Sequence, residues 1–310
     1  MREKFAAKTA FLLKKIREER PLVHCITNMV TVNDCANALL AIGGAPVMAH
    51  DINECREITS GSSVFVANFG ATEYMDAMFE SAKEAKACGI PVVIDPVGCG
   101  GSTYRRKLIL DMIDEISPCC VRGNMSEIRA LITDSKTAKG VDVSEKDMLA
   151  VKDLVSESKD ASKTKGASDE ASDGKPHGDA EKVIAAAKEL RDFAKKKNTV
   201  IIASGPVDIV TDGVYIYGVS GGDEMMPKVT GSGCMSSAVL GAFMSCEQSL
   251  DAAICSCNFM GACGSLAAEE TLRAIGRPGL GSFKVFMMNE LSTITDKDIF
   301  DRTDIRRIGE

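Results

Sequence analysis

From residue 3 to about residue 203, short apolar runs alternate with amphipathic stretches, and this order restricts the chain more than any other feature. Strands are expected at Leu22–Ile26, Pro46–Ala49, Val64–Ala67, Pro91–Ile94, Cys119–Val121 and Thr199–Ala203. Helices are expected at 3–19, 31–42, 53–59, 72–88, 104–116, 125–132, 144–155 and 181–196. Strands of four or five apolar residues, each followed by a helix, read as crossover units. A parallel sheet covered on both faces satisfies that order, giving a three-layer α/β fold. Around Asp212-Gly213 the residues Val210, Val214 and Ile216 alternate with polar neighbours, a hairpin signal for antiparallel strands at one edge. Helices at 234–246, 250–270 and 282–292 finish the chain.

Between Ser156 and Asp179 the pattern stops: the stretch has no Val, Ile, Leu, Met, Phe, Tyr or Trp. Ser, Lys, Asp, Ala and Gly dominate it, and these bury too little surface to offset the entropy of ordering. It reads as a mobile surface insertion, at 156–179, in a single domain covering 1–310.

The net charge of −7, with no extended basic face, argues against nucleic acid or an anionic membrane as partner. No uninterrupted apolar run of about 18 residues occurs, so no membrane span is expected. The start mixes acid and base in an amphipathic helix rather than a signal peptide. Twelve cysteines lie mostly inside apolar segments, with no C-x-x-C spacing. They read as small core residues of a reduced, cytoplasmic protein.

Chemistry concentrates where strands end. One glycine-rich turn, Lys228-Val229-Thr230-Gly231-Ser232-Gly233-Cys234, opens directly into a small-residue apolar helix. The first amides of a helix are unpaired and carry the positive end of its dipole, so they attract phosphate. Glycines there let a ligand approach. The same helix end favours a thiolate, so Cys234 is expected to have a lowered pKa and to accept a proton. A tight turn before a buried helix, with Cys234 a core residue, fits this segment equally well.

Four further clusters follow strands: His24–Asn28, Asp95–Gly101, Arg122–Glu127 and Ser204–Asp208. In open parallel sheets, ligands bind at that edge. Asp95 and Glu127 are candidates to hold Mg²⁺, which takes one or two carboxylates and keeps water; a turn cap and a helix start explain them too. Arg122 suits nucleotide phosphates or a surface ion pair. Ser204 and Gly205 suit phosphate, ribose or a plain turn. His24 reads as a satisfied strand histidine, and Cys99 as a thiol exposed in a glycine-rich loop.

Taken together, HCITN at 24–28, DPVG at 95–98, RGNMSE at 122–127, SGPVDIVTDG at 204–213, KVTGSGC at 228–234 and GLGSF at 279–283 resemble the hydroxyethylthiazole kinase family. So do Asn33–Asn37 and Gly44–Met48, and the resemblance runs from about residue 8 to about 293 outside the insertion. Asn124-x-x-Glu127 also resembles the N-x-x-E metal motif of the ribokinase-like superfamily. The resemblance implies a ribokinase-like fold and ATP- and Mg²⁺-dependent phosphorylation of the hydroxyl of 5-(2-hydroxyethyl)-4-methylthiazole in thiamine salvage. It further implies a homotrimer with active sites at subunit interfaces. Cys234 corresponds to the catalytic base position, where related sugar kinases have aspartate. Gly231 and Gly233 correspond to the anion hole, Gly233 on the ATP side. Arg122 and Ser204 correspond to ATP-binding positions. Met48 and Gly231 correspond to thiazole-binding positions, and Asn28 lies where the thiazole pocket begins.

Several positions depart from the family pattern. Ser204 stands for a usual Thr and keeps the hydroxyl; Ser232 replaces Thr or Ala, Met125 replaces Ala, and Pro206 replaces a common Glu. A ribokinase-like kinase of another small alcohol, such as a sugar or pyrimidine, is the nearest alternative. A cysteine-based redox or metal-binding protein is the alternative from another class.

Overall fold

In a computed structural model, residues 1–133 and 177–308 are described, with side chains of 177–184 left aside. The helix expected at 144–155 and most of the expected insertion lie outside the described residues. The first nine elements are α1 (Arg2–Glu19), β1 (Leu22–Ile26), α2 (Val32–Ile42), β2 (Ala45–Val47), α3 (Cys55–Ser60), β3 (Val64–Asn68), α4 (Met75–Cys88), β4 (Val92–Asp95) and α5 (Thr103–Ile116). Next come β5 (Cys120–Asn124), α6 (Met125–Ile132), α7 (His177–Lys197), β6 (Val200–Ser204), β7 (Val207–Thr211) and β8 (Ile216–Ser220). The chain ends with α8 (Ser232–Cys246), α9 (Leu250–Ile275), α10 (Leu280–Thr293), α11 (Asp296–Arg302) and β9 (Asp304–Arg307).

The nine strands of the described residues join one sheet in the order β2-β1-β3-β4-β5-β6-β7-β8-β9. The strands from β2 to β6 pair in parallel, and β7, β8 and β9 add antiparallel ladders at one side. The period-2 alternation of side chains sorts each strand between two cores. Val23, Val64, Val66, Val93, Cys120, Ile202 and Val210 pack beneath α1, α2 and α8–α11. Ile26, Phe65, Ala67, Ile94, Val121, Ile201 and Ile209 pack beneath α3–α7. This is the three-layer architecture that the alternation implies.

The sequence reading missed α11 and β9. The β9 segment, Asp-Ile-Arg-Arg, has one buried side chain and no apolar run. Its place is set by pairing with β8, a long-range fact. Helix α9 is long and apolar enough to cross a membrane by length and composition, yet most of it is buried inside the protein. A core helix meets the same test.

Helix α8 crosses the centre of the sheet, over β1, β3 and β4. Small residues make the approach close: a Cβ on Gly241 would lie 2.6 Å from Val66 Cγ2. Close-packed interiors resist an added methyl, at about 1–3 kcal/mol. Gly241→Ala is therefore expected to lower the unfolding free energy, read from a urea titration, by an amount in that range; an unchanged urea midpoint would show that the helix can shift freely.

Candidate active site

Strand register brings the first polar residues into line. Asn68, the last residue of β3, pairs with Asp95, the last of β4; Asn124 of β5 pairs with Ser204 of β6. Helix α8 begins against this edge, and its start carries Cys234.

Gly231 caps α8 with φ +92°, in the left-handed region that favours glycine. A Cβ there would also lie 2.9 Å from Thr31 Cγ2. Both observations require glycine, and they place the turn against the start of α2. Gly233 differs: among the described residues, an added Cβ would meet Arg122 Nη1 alone within 4 Å, at 3.8 Å. The amides of Gly233 and Cys234 belong to the first turn, whose donors have no acceptor within a helix.

Two carboxamides hold the Cys234 sulfur. Asn68 Nδ2 donates to Cys234 Sγ at 3.2 Å, and Asn28 Nδ2 does so at 3.5 Å. Asn68 Nδ2 also donates to Asp95 Oδ2 at 2.9 Å. Thr31 Oγ1 donates to Asn28 Oδ1 at 3.1 Å, which orients that amide. Asn28, Cys234 and Asp95 therefore meet through a residue, Asn68, that the sequence reading did not single out. Its only signal was its position, a polar residue ending an apolar strand.

The electrostatics correct one expectation. The Cys234 thiol lies above its ordinary pKa, not below it. Burial is the main cause, and the Asp95 charge adds to it; hydrogen bonds from Thr31, Asn68 and Asn28 oppose both. Desolvation of the charged form outweighs the stabilisation that polar neighbours supply. Asp95 itself is pushed up to about 7, first by burial and then by the Glu127 charge, with Arg122, Ser237 and Asn68 working against the rise.

Arg122 braces the turn. Its Nη1 donates to the Gly233 carbonyl at 3.0 Å and to Ser237 Oγ at 3.3 Å. The cation also lowers the cost of burying Asp95 and Asp208. Glu127 closes a capping box with Asn124 at the start of α6. One of its oxygens accepts from Asn124 N at 2.9 Å and the other from Gly98 N at 3.0 Å, tying the Gly98 loop to β5. Thus the helix-start explanation of Glu127 holds, while its carboxylate keeps further lone pairs. Gly123 must be small here, since a Cβ would lie 2.9 Å from Pro96 Cγ.

Other candidates sit further out. The Ser204 hydroxyl donates to the Gly123 carbonyl at 3.2 Å, bridging β5 and β6. Met48 is half-buried against the core on the α1, α2 and α8–α11 side of the sheet, and its carbonyl lies 3.2 Å from His50 Nδ1. Cys99 is buried, not exposed, with its thiol donating to Glu127 O at 3.2 Å. His24 is a satisfied strand histidine: Nδ1 lies 2.8 Å from Thr59 Oγ1 and Nε2 lies 2.8 Å from the Ala49 carbonyl. Burial lowers its pKa. All twelve cysteines are free thiols, eight of them buried.

Chemically, this edge offers a helix start for anions, a sulfur between two amide donors, two carboxylates and an arginine. A family model described as the hydroxyethylthiazole kinase family matches residues 13–181 and 175–297. A protein named hydroxyethylthiazole kinase from Methanobrevibacter smithii is 35% identical, over 98% of this chain and 98% of its own. One of the same name from Clostridium beijerinckii is 36% identical, over 99% of this chain and 100% of its own. The solved hydroxyethylthiazole kinase protein from Pyrococcus horikoshii OT3 superposes with a TM-score of 0.75 at 30% identity, covering 98% of this chain and 100% of that one. A hypothetical protein from Streptococcus mutans shares the fold alone, with a TM-score of 0.51 at 11% identity.

Proposed function

The chain belongs to the hydroxyethylthiazole kinase family, and on that premise we propose how its own residues carry the reaction. It is a kinase of ribokinase-like α/β fold that phosphorylates the hydroxyl of hydroxyethylthiazole, with ATP as co-substrate. In our reading, one kinase domain spans 1–310; the nine strands of the described residues form one sheet.

The observation that carries the assignment of roles is Cys234 Sγ, in the first turn of α8, facing the amide donors of Asn28 and Asn68. Cys234 takes the proton of the substrate hydroxyl as that oxygen bonds to the γ-phosphorus and the bond from phosphorus to the ADP oxygen breaks. The thiolate is the form that accepts. Burial makes it scarce at neutral pH and a stronger base when present. Phosphoryl transfer proceeds through loose transition states, so positioning and charge neutralisation outweigh base strength. The amides of Gly233 and Cys234 bind the phosphoryl oxygens, and Gly231 sets the turn that aims them. Arg122, fixed against Gly233, meets the nucleotide phosphates, with Ser204 nearby on β6. Met48, Gly231 and Asn28 border the thiazole.

Asp95 and Glu127 fit Mg²⁺ by the chemistry of the donor set: hard carboxylate oxygens, with lone pairs left for water and phosphate to complete the shell. When bound, the ion supplies charge neutralisation on the transferring phosphates. Asn68 keeps the Asp95 carboxylate oriented, and Gly98 N and Asn124 N do the same for Glu127.

A trimer is part of this reading. Met29 and Val30, next to Asn28, are 63% and 74% exposed, an apolar surface suited to a subunit contact at the thiazole pocket. Sedimentation at micromolar protein should give one species of three chains, and dilution to dissociation should lower activity in parallel. A fully active monomer would contradict the shared site and leave the kinase activity intact. The activity itself is tested by coupled ADP release with and without hydroxyethylthiazole. Release that is indifferent to the thiazole, or stimulated instead by a sugar or pyrimidine, would overturn the substrate.

A further inference from the structure

Asn68 is buried, 1% exposed, and both ends of its carboxamide are committed. Its Oδ1 accepts from Gly70 N at 2.9 Å. A flipped amide would set NH₂ against that N–H, so Nδ2 must face the other way. There it meets two acceptors, Asp95 Oδ2 at 2.9 Å and Cys234 Sγ at 3.2 Å. The NH₂ group has two hydrogens, one for each. Gly70 permits this, because a Cβ on it would lie 2.8 Å from Asn68 Oδ1 and 3.0 Å from Asn28 Nδ2. An amide nitrogen only donates, so the sulfur presents lone pairs to Asn68 and to Asn28. In the thiolate, the accepting form, the third lone pair is thereby left to the side that the two amides do not occupy.

We propose that Asn68 is a positioning residue, which locks Cys234 Sγ and the Asp95 carboxylate in one arrangement so that the sulfur is aligned on the substrate hydroxyl. The role rests on the reading of Cys234 as proton acceptor. Near-attack alignment is where such a residue contributes, since a small displacement of a catalytic group costs turnover far more than binding. Asn28 alone does not replace it: its amide reaches the sulfur at 3.5 Å, and its other donor contact, also 3.5 Å, goes to Asn68 Oδ1 rather than to Asp95.

The test is a double-mutant cycle on the full chain, with Asn68→Ala and Cys234→Ala alone and together, followed by steady-state kinetics. Groups that act as a unit give non-additive losses. With Cys234 present, Asn68→Ala should lower kcat about 10–50-fold and leave KM for ATP within about twofold. In the Cys234→Ala background the same change should cost less than about twofold. Equal losses in both backgrounds would overturn the positioning role while leaving Cys234 as base. Full turnover in Cys234→Ala alone would overturn the base, and with it the path through Asn68. Should Asn68→Ala fail to fold, Asn68→Ser carries the same cycle, since one short hydroxyl cannot donate to both partners.

Discussion

Cys234→Ala is expected to lower kcat by about 10²–10³-fold, the lower part of the range for general-base catalysis. KM for ATP should stay within about threefold, because alanine leaves the Gly233 amide and the backbone of the first turn of α8 in place. The loss stops short of abolition because a loose transition state draws most of its stabilisation from the phosphate-facing groups. The pH profile gives a second readout. Burial raises the Cys234 thiol, so the thiolate population grows as pH rises beyond the ordinary thiol range. Wild-type kcat should climb with pH across the alkaline range, and the residual activity of Cys234→Ala should lose that climb. Near-normal turnover, or an identical pH profile in the variant, would remove Cys234 from the mechanism.

Removing Mg²⁺ with excess chelator is expected to abolish transfer. Glu127→Gln should raise the Mg²⁺ needed for half-maximal rate by about 10–100-fold. Glutamine has one acceptor oxygen, which can keep the capping box with Asn124 N, while its NH₂ is then set against Gly98 N. The melting temperature of Glu127→Gln is therefore measured beside the Mg²⁺ requirement, to separate lost charge from a loosened Gly98 loop. Asp95→Asn adds a measurement made without metal or substrate. The Asp95 carboxyl sits at about 7 in the folded protein, against 3.8 ordinarily. Between those values the native state holds more protons than the unfolded one, so stability falls as pH rises through that window and levels off above it. By pH 8 the cost is on the order of 4 kcal/mol, most of it desolvation. Asp95→Asn removes the charge. In chelator at pH 8 the variant should melt higher than wild type, the gap closing toward pH 4, even though its activity is lost. Undiminished activity in chelator would dismiss the metal reading. A melting difference that ignores pH would show that the buried carboxyl does not titrate in this range.

The two predictions concern different layers of legibility. Asp95 and Glu127 stand out in sequence because each follows a short apolar run, Pro91–Ile94 or Cys119–Val121, on the edge where parallel sheets bind ligands. Cys234 stands out because glycines flank it at the start of an apolar helix. These are local signals. The pKa of that cysteine is not local. The helix start and the hydrogen bonds from Asn28 and Asn68 point toward a thiolate, but burial and the Asp95 charge point the other way, and desolvation prevails. Cys99 misled for the same reason: a glycine-rich loop looks exposed until Glu127 is folded against it.

The sequence by itself determined the layered α/β architecture, because strand-length apolar runs separated by amphipathic helices have few other ways to bury their surface. It also determined the family, through ordered motifs lying at successive strand ends. Only the tertiary structure decided what occupies the gaps between motifs. Asn68 faces Cys234 across 166 positions of chain, and β9 finds its place only against β8. Neither residue pattern announces its partner. A hydrogen bond between distant segments exists only once the sheet has set their spacing, and burial, the main force on both Asp95 and Cys234, is a property of the assembled fold.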